Sequence, residues 1–473
     1  MKKSKYVGFS FLMIGCLLFT SACAETVQMA EDIYNEVDTT VQDVIHAVLP
    51  TDNPNTPAGA STGINSASDA AINTGGDLPN ANKMVAVTQT NFANGTYKIN
   101  HGGHYSFSGD LNGTIAVDTA ETVTLVLNGT TLISHDGPVI LSTSENTINM
   151  MLVGGTVNYV TDNKIGNDDA NAAIYVRGDL NINGSGALNV TANFKDGIRS
   201  KKILTINDGI LDLTTIDHAL KADDGIIMNG GDVTIAAQGK GFTSDNAVLI
   251  ASGKINITES EEGIEGFTVT FTGGESNIMA LDDGINARDP NAEKDTKGNP
   301  INTSSDVYVR FAGGTVRVTV AGDDVDAIDS NMNIFLEGGT LYASGPNNGP
   351  CSAIDLDGAF TISGGDMIAV GIVEKNPVST TQPFVTVHAS GQVGNFIEIK
   401  DAANKVMLSY IAPNGFTVVS FTSPKMIQGE TYSVYVADKL VQTVTLTDLI
   451  TGSTGGGRGP GRGGMQPPSR NPR

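Results

Sequence analysis

The chain contains no tryptophan, 6% aromatic residues, three cysteines, and 28 basic residues against 51 acidic ones. Each shortage excludes something. The net charge of −23 argues against nucleic acid and toward cations or cation-bridged partners. Cys16 falls in an apolar leader, Cys23 directly follows it, and Cys351 is left alone, so the spacing offers no disulfide framework. There is no phosphate loop and no zinc-type cysteine cluster, and the middle of the chain shows no long uninterrupted helical pattern. With 56 glycines in 473 residues, strands and tight turns must supply the core.

What is present is a repeat. A small residue, an apolar residue, a variable polar residue and another small one recur around Ile198, Leu220, Phe242, Ile264, Ile285, Ile328 and Ile354, at steps of 22, 22, 22, 21, 43 and 26. A second marker keeps the same time: Asp208-Gly209, Gly230-Gly231, Ser252-Gly253, Gly273-Gly274, Gly313-Gly314, Gly338-Gly339 and Gly364-Gly365. Short strand-like pieces such as Ile203 to Ile206 lie between glycine, asparagine or aspartate bends, which is the signature of a solenoid. A sandwich array would repeat nearer ~100 residues. The reading is all-β: a right-handed parallel β-helix of about 22 residues per coil, with three short strands per coil and the seven apolar centres in one inward column.

In chain order, residues 1–22 have a basic start, an apolar run and small residues before Cys23, an export signal whose end resembles a lipoprotein site at Cys23, with Thr20 in place of the usual Leu and ordinary cleavage near Ala22 or Ala24 as the alternative. The chain is therefore expected to be exported and held at the cell surface, on the outer face of a membrane, by a lipid anchor. Residues 23–50 predict a short amphipathic helix ended by Pro50, and 51–82 a flexible linker rich in Pro, Gly, Ser, Ala and Asn. The β-helix is placed at 83–383, with irregular first coils that cover its open end. A small C-terminal β cap follows at 384–450, and a disordered Gly/Arg/Pro tail at 451–473.

Register locates the acids. The residue after each apolar centre is expected to point outward, giving the column Arg199, Lys221, Thr243, Glu265, Asn286, Asp329 and Asp355. Two residues before the centre, at a bend, a second column reads Asp196, His218, Lys240, Glu262, Asp283, Asp326 and Ser352. The small residue between them is expected to leave the outer face uncluttered. Equivalent residues of successive coils lie about 4.8 Å apart, so stacked carboxylates repel and raise one another's pKa unless a cation lies between them. The early coils mix signs and need no metal. From Glu262 onward the columns turn acidic or amide, a hard-oxygen set that suits Ca²⁺ better than Zn²⁺ or copper. The expected ligands are Glu262, Glu265, Asp283, Asn286, Asp326, Asp329 and Asp355. The competing reading is that each Asp-Gly pair is a turn former with a solvated side chain.

The recurring Asp-Gly-Ile, the Gly-Gly beats, the lipoprotein-like start and the Gly/Arg/Pro tail resemble the family of secreted bacterial carbohydrate-binding β-helix proteins, which bind cellulose and pectin-type polymers and are similar in shape to pectate lyases. The resemblance covers roughly residues 80–450. It implies calcium-dependent binding of cell-wall polysaccharide along a flat face whose coil spacing is close to the length of one sugar ring. The lack of tryptophan favours an acidic, pectin-type polymer over crystalline cellulose. Two other classes compete. A calcium-dependent polysaccharide lyase acting by β-elimination would need a basic residue near the metal, with Arg199, Lys221, Lys240 and Arg288 as candidates. An adhesin or passive surface scaffold would need neither ion nor sugar. No catalytic residue is assigned. The extra length between Ile285 and Ile328 is assigned to a polar surface loop at residues 288–305, with Val307 to Val320 supplying that coil's strands.

Overall fold

Ile198, Leu220, Phe242, Ile264, Ile285, Ile328 and Ile354 pair one to the next in parallel register, and each is fully buried. Each such side chain taken out of water contributes about 1.5–3 kcal/mol, and the column forms one wall of a continuous core. The computed structural model describes residues 83–164, 169–296, 300–301, 303–346 and 351–452. The leader at 1–22, Cys23, the helix at 23–50, the linker at 51–82 and the tail from residue 453 onward lie outside the described residues.

The architecture is a β-solenoid of stacked parallel coils. A typical coil holds three strands, Asp196–Ser200, Ile203–Ile206 and Ile210–Thr215, and its successor repeats them as Leu220–Ala222, Gly225–Met228 and Asp232–Ala237. The first strand of each coil joins a sheet that has eleven strands among the described residues, from Thr96–Ile99 to Ser352–Leu356. The other two faces merge into one larger sheet because long strands such as Thr268–Ala280 and Tyr308–Val320 turn the corner through a bulge without a break.

Four rungs precede those visible as a repeat: Tyr97, Ile115, Ile140 and Ile174 extend the inward column toward the N-terminus. Their spacing is uneven, so they carry no regular period in the sequence. Tyr97 opens the column, with the rings of Phe92, Tyr105 and Phe107 around it at centroid distances of 5.8, 6.3 and 6.2 Å. Scarce aromatic residues are thus spent on closing an end of the stack.

The small residue before each centre has a different role from the one its sequence position suggested. Ala219, Ala327 and Ala353 are fully buried, as is the backbone at Gly197, Gly241, Gly263 and Gly284. A Cβ on Gly263 would lie 2.3 Å from the Gly284 carbonyl oxygen and 2.3 Å from Ile278 Cγ2. The position is small because the next coil's backbone passes over it. Gly263→Ala is therefore expected to destabilise by about 1–3 kcal/mol through overpacking, read as a lower denaturation midpoint, although alanine occupies the same register at Ala219 and Ala327. The Gly-Gly beat has its own cause. Gly314 has φ +75°, and a Cβ there would meet the Gly273 oxygen at 2.5 Å, so both conformation and close approach require glycine.

Ser200, Ser244 and Ser330 sit at the end of their rungs and accept the N–H two residues on, at 3.1, 3.1 and 3.3 Å, turning the chain into the next strand. Amide side chains stack between coils elsewhere: Asn207 Nδ2 donates to Asn183 Oδ1 and Asn229 Nδ2 to Asn207 Oδ1, each at 2.9 Å.

Ile285 pairs with Ile328 across the long insertion, and Tyr308–Val320 carries that coil's other two strands. Within the insertion, Glu293–Lys294 and Pro300–Ile301 form a short antiparallel pair outside the coils. Beyond Asp366–Val370 antiparallel pairing appears: Phe416–Thr422 joins that strand to Phe384–Gly391. A four-stranded antiparallel sheet, Val406–Ile411, Phe396–Lys400, Thr431–Val436 and Lys439–Thr445, completes this end. The last coil strand serves two cores, with Met367 and Ala369 in the solenoid and Ile368 and Val370 in the C-terminal one. Ile450–Thr451 pairs with Phe384–Val385, so the first residue assigned to the tail belongs to a strand.

Candidate functional site

Along the eleven-stranded face the polar column runs in register as Tyr175, Arg199, Lys221, Thr243, Glu265, Asn286, Asp329 and Asp355. It is aromatic and basic at one end and acidic at the other. These side chains are not freely solvated, since Thr243, Glu265 and Asn286 are each less than a tenth exposed.

The bend column is a ladder of backbone caps. Asp196 Oδ1 accepts the His218 N–H at 3.4 Å and His218 Nδ1 accepts the Lys240 N–H at 3.1 Å. Further along, Asp283 Oδ1 accepts the Asp326 N–H at 2.9 Å and Asp326 Oδ1 the Ser352 N–H at 2.5 Å. One oxygen of each aspartate thus joins successive coils, which accounts for the residue type at the bend. It leaves unexplained why the neighbouring column turns acidic with it.

Glu265 departs from its expected role. Its Oε1 accepts from Thr243 Oγ1 and Arg288 Nη2, both at 3.0 Å, and its Oε2 is paired with Lys240 Nζ and Arg288 Nε. Burial alone would raise its pKa, but Arg288 and Lys240 outweigh that and hold it down at about 2. A carboxylate with both oxygens committed to two cations is not placed to ligate a metal. The sequence reading missed this because Lys240 lies on the preceding coil and Arg288 opens the insertion that follows.

Around and beyond Glu265, burial and neighbouring carboxylates raise the pKa of several acids. Glu262 keeps Lys240 at 3.0 Å, yet burial first and then Glu265 push its pKa up to about 7. Asp283 is pushed well above the usual carboxylate range, first by burial and then by Asp282, Asp326 and Glu262, against the Asp326 N–H that it accepts. Asp329 is raised likewise by burial and by Asp283, Asp355, Asp326 and Asp357. Among them sits Asn286, 8% exposed, whose Nδ2 donates to Glu262 Oε2 at 3.4 Å while its buried Oδ1 has no hydrogen-bond partner. The sequence-assigned residues Glu262, Asp283, Asn286, Asp326, Asp329 and Asp355 thus lie along four successive coils, in the outward column and at the bend beside it.

The donor set is all oxygen, holds excess negative charge and contains an orphaned carbonyl, which fits a hard cation. Ca²⁺ accepts about 6–8 oxygen ligands in flexible geometry. The cage is not closed: among the described residues, the His/Asp/Glu group whose ligating atoms all lie within 4.8 Å of one another is elsewhere, at Asp196, Asp217 and His218. It lies on the mixed-sign coils, where the sequence calls for no metal. Asp196 Oδ2 is buried without a hydrogen-bond partner, but Arg199 Nη1 stands 3.6 Å away and Lys221 also acts on it. His218 Nδ1 is already an acceptor, and burial pushes its pKa down to about 4, so the imidazole is neutral at neutral pH. Positive charge is already supplied there, in contrast to the acidic coils. A shallow groove of about 620 Å³ follows the Gly-Gly turns at a different corner, lined by Asp208, Asp232, Lys254 and Glu275 among others.

The fold and this face define a polar-faced β-solenoid with a graded row of charges. Residues 93–349, more than half of the chain, match the family model described as carbohydrate-binding domain-containing protein, and the chain belongs to that family. A protein of Acetivibrio thermocellus with the same description is 35% identical over 121 residues, which is 24% of this chain and 42% of that relative's length. A solved structure described as the polysaccharide lyase-like protein from C. thermocellum, a gadolinium derivative, aligns over 63% of this chain and 98% of its own, at 24% identity and a TM-score of 0.32.

Proposed function

We propose that this chain binds a linear acidic polysaccharide of the pectin type along the eleven-stranded face, with calcium joining sugar carboxylates to Glu262, Asp283, Asn286, Asp326, Asp329 and Asp355. Family membership supports a carbohydrate ligand. The observation that carries the rest is the orphaned Asn286 carbonyl among carboxylates whose pKa values are raised by burial and by one another. A divalent cation relieves both defects at once, and its unfilled coordination positions suit the carboxylate of a uronate. Coils repeat every ~4.8 Å, so a chain of sugars laid along the axis meets equivalent positions in succession. Export and a lipid anchor at Cys23 complete this reading and place the face at the cell surface.

The reading is of a binder and not of a lyase. β-Elimination needs a base that can lose its proton, whereas Lys240 and Arg288, beside Glu262, are held in ion pairs with Glu265, and Lys375, at the other end of the acidic coils, donates from Nζ to the Asp357 backbone oxygen at 2.5 Å. Arg288 has its pKa raised further by that hydrogen-bonded pairing, against its burial.

Pull-down of the chain on insoluble polygalacturonate, xylan and microcrystalline cellulose, with calcium or with EDTA, tests the proposal. Calcium should strengthen retention on polygalacturonate at least about tenfold, equivalent to one ion-bridged carboxylate. Asp329→Asn with Asp355→Asn should remove that gain. Equal retention on cellulose and polygalacturonate, indifferent to calcium, would rule the reading out.

A further inference from the structure

The basic end of the same face has a pocket that the calcium reading does not use. It measures about 350 Å³ and is lined by Glu145, Tyr175, Arg177, Lys201 and Lys202. Its position follows from register. Arg177 and Lys201 each come directly after a rung strand, and the Lys201 N–H donates to the Val176 oxygen at 2.9 Å, so the two stand on successive coils. On the next coil the Asp223 N–H donates to the Ser200 oxygen at 3.3 Å. Along the axis the register runs Thr143, Arg177, Lys201, Asp223, with Glu145 two residues past Thr143, so the two adjacent cations each have a carboxylate on the far side.

Two like charges one coil apart, about 4.8 Å, repel unless an anion lies between them. The existing partners stand outside this gap. Lys201 Nζ is paired with Asp223, and Lys202 Nζ lies 3.5 Å from Asp224. Arg177 Nε reaches Glu145 Oε1 only at 3.9 Å, with the side chains 59% and 63% exposed, a loose pair that an incoming carboxylate can replace. Tyr175 adds a second feature. Across the polar column of the eleven-stranded face it is the one aromatic residue among those described, and it also lines the pocket. A ring with a charged fork beside it is suited to a sugar that carries a carboxylate.

We infer that the pocket formed by Tyr175, Arg177, Lys201 and Lys202 is a metal-independent subsite for a uronate residue, binding its carboxylate between Arg177 and Lys201 with the sugar ring against Tyr175. This rests on the proposal that the ligand is an acidic polysaccharide. Six coil steps separate Tyr175 from Asp329, about 29 Å, so one polymer chain reaches both. Its carboxylates meet cations of the protein at one end of the face and bridging calcium at the other.

The test uses the full chain and trigalacturonate, too short to span both ends, titrated in EDTA. Wild type should bind, and more weakly as salt rises. Arg177→Gln with Lys201→Gln should lose about tenfold or more in affinity, as for loss of charged hydrogen bonds. Tyr175→Ala should weaken binding too, and Arg177→Lys with Lys201→Arg should retain most of it. All three variants should keep the wild-type melting temperature and, on long polygalacturonate, the same fold-gain in retention on adding calcium, whatever their retention without it. Wild-type binding only with calcium, or unchanged affinity of the glutamine variant, would overturn the pocket while leaving the proposed function standing. No binding of wild type to the trimer or to the polymer under either condition would overturn both. A sulfated glucan that competes as well as trigalacturonate would show a general anion patch and overturn the uronate assignment.

Discussion

Removal of divalent cations at pH 7.5 is expected to lower the melting temperature by about 5 °C, and by much less at pH 5. At a hundredfold excess over its dissociation constant, an ion bound only to the native state stabilises it by about 2.7 kcal/mol, and a chain of this size shifts by about 2 °C per kcal/mol. The pH dependence follows from the acidic coils. Glu262 is pushed from 4.5 up to about 7 by burial and by Glu265. Between those two values the native chain keeps a proton that the unfolded chain has released, so without metal the stability falls as pH rises through that window and levels off above about 7. The shift corresponds to a cost on the order of 3 kcal/mol at high pH. Asp283 and Asp329 act in the same direction, for burial and mutual repulsion raise both. Calcium should flatten the slope, because the bound ion supplies the charge that the protons otherwise supply. Asp329→Asn separates this from a passive role. In EDTA at pH 7.5 it should raise the melting temperature, since it removes a repelled charge, and it should abolish the calcium increment. Thermal denaturation of both proteins across pH 5 to 8, with and without calcium, is the measurement. A flat profile in EDTA together with no response to calcium would return these residues to a turn-forming role.

Glu265→Gln is expected to cost about 3 kcal/mol, the lower part of the range for breaking a buried ion pair. Glu265 and Lys240 are 2% and 15% exposed, while Arg288 is 38% exposed and recovers part of its solvation when released. The pH signature is opposite to that of Glu262. With its pKa at about 2 instead of 4.5, Glu265 stabilises the fold fully above about 4.5 and loses that contribution as pH falls toward 2. The wild type should therefore lose stability faster than the variant below pH 4.5, and the two denaturation midpoints should converge in acid. A second consequence is functional. With Glu265 neutral, Lys240 and Arg288 have Glu262 as their nearest remaining acid, so the variant should bind calcium more weakly although Glu265 lies outside the proposed ligand set. Equal stability of variant and wild type at pH 7 would show that the pair is solvated in solution.

Much of this molecule was legible as a pattern along the chain. A solenoid coil can close only if its inward apolar residue, its crowded small residue and its glycine turn recur in phase, so the seven regular rungs, the paired glycines and the drift from mixed to acidic columns are written in the order of residues. The alternation of a strand then decides which side chains enter the core, which is why Ile198 through Ile354 could be aligned without coordinates. The N-terminal rungs at Tyr97, Ile115, Ile140 and Ile174 obey the same packing, but loops of unequal length separate them and erase the period.

The tertiary structure alone decided how the charges are shared. Lys240 reaches Glu262 and Glu265 on the following coil, and Arg288 reaches back to Glu265, because long side chains choose among all carboxylates within their radius on three stacked coils. Residue spacing does not encode that choice. The same reason separates the two halves of the face. At the basic end each cation already has an acid beside it, with a gap left between Arg177 and Lys201, while past Asn286 the carboxylates are crowded together by burial. Local sequence determined the rungs and the residue types at each register position. Contact between coils determined which carboxylates the protein's own cations hold, as at Glu265, and which are raised by burial and by one another, as at Asp283 and Asp329.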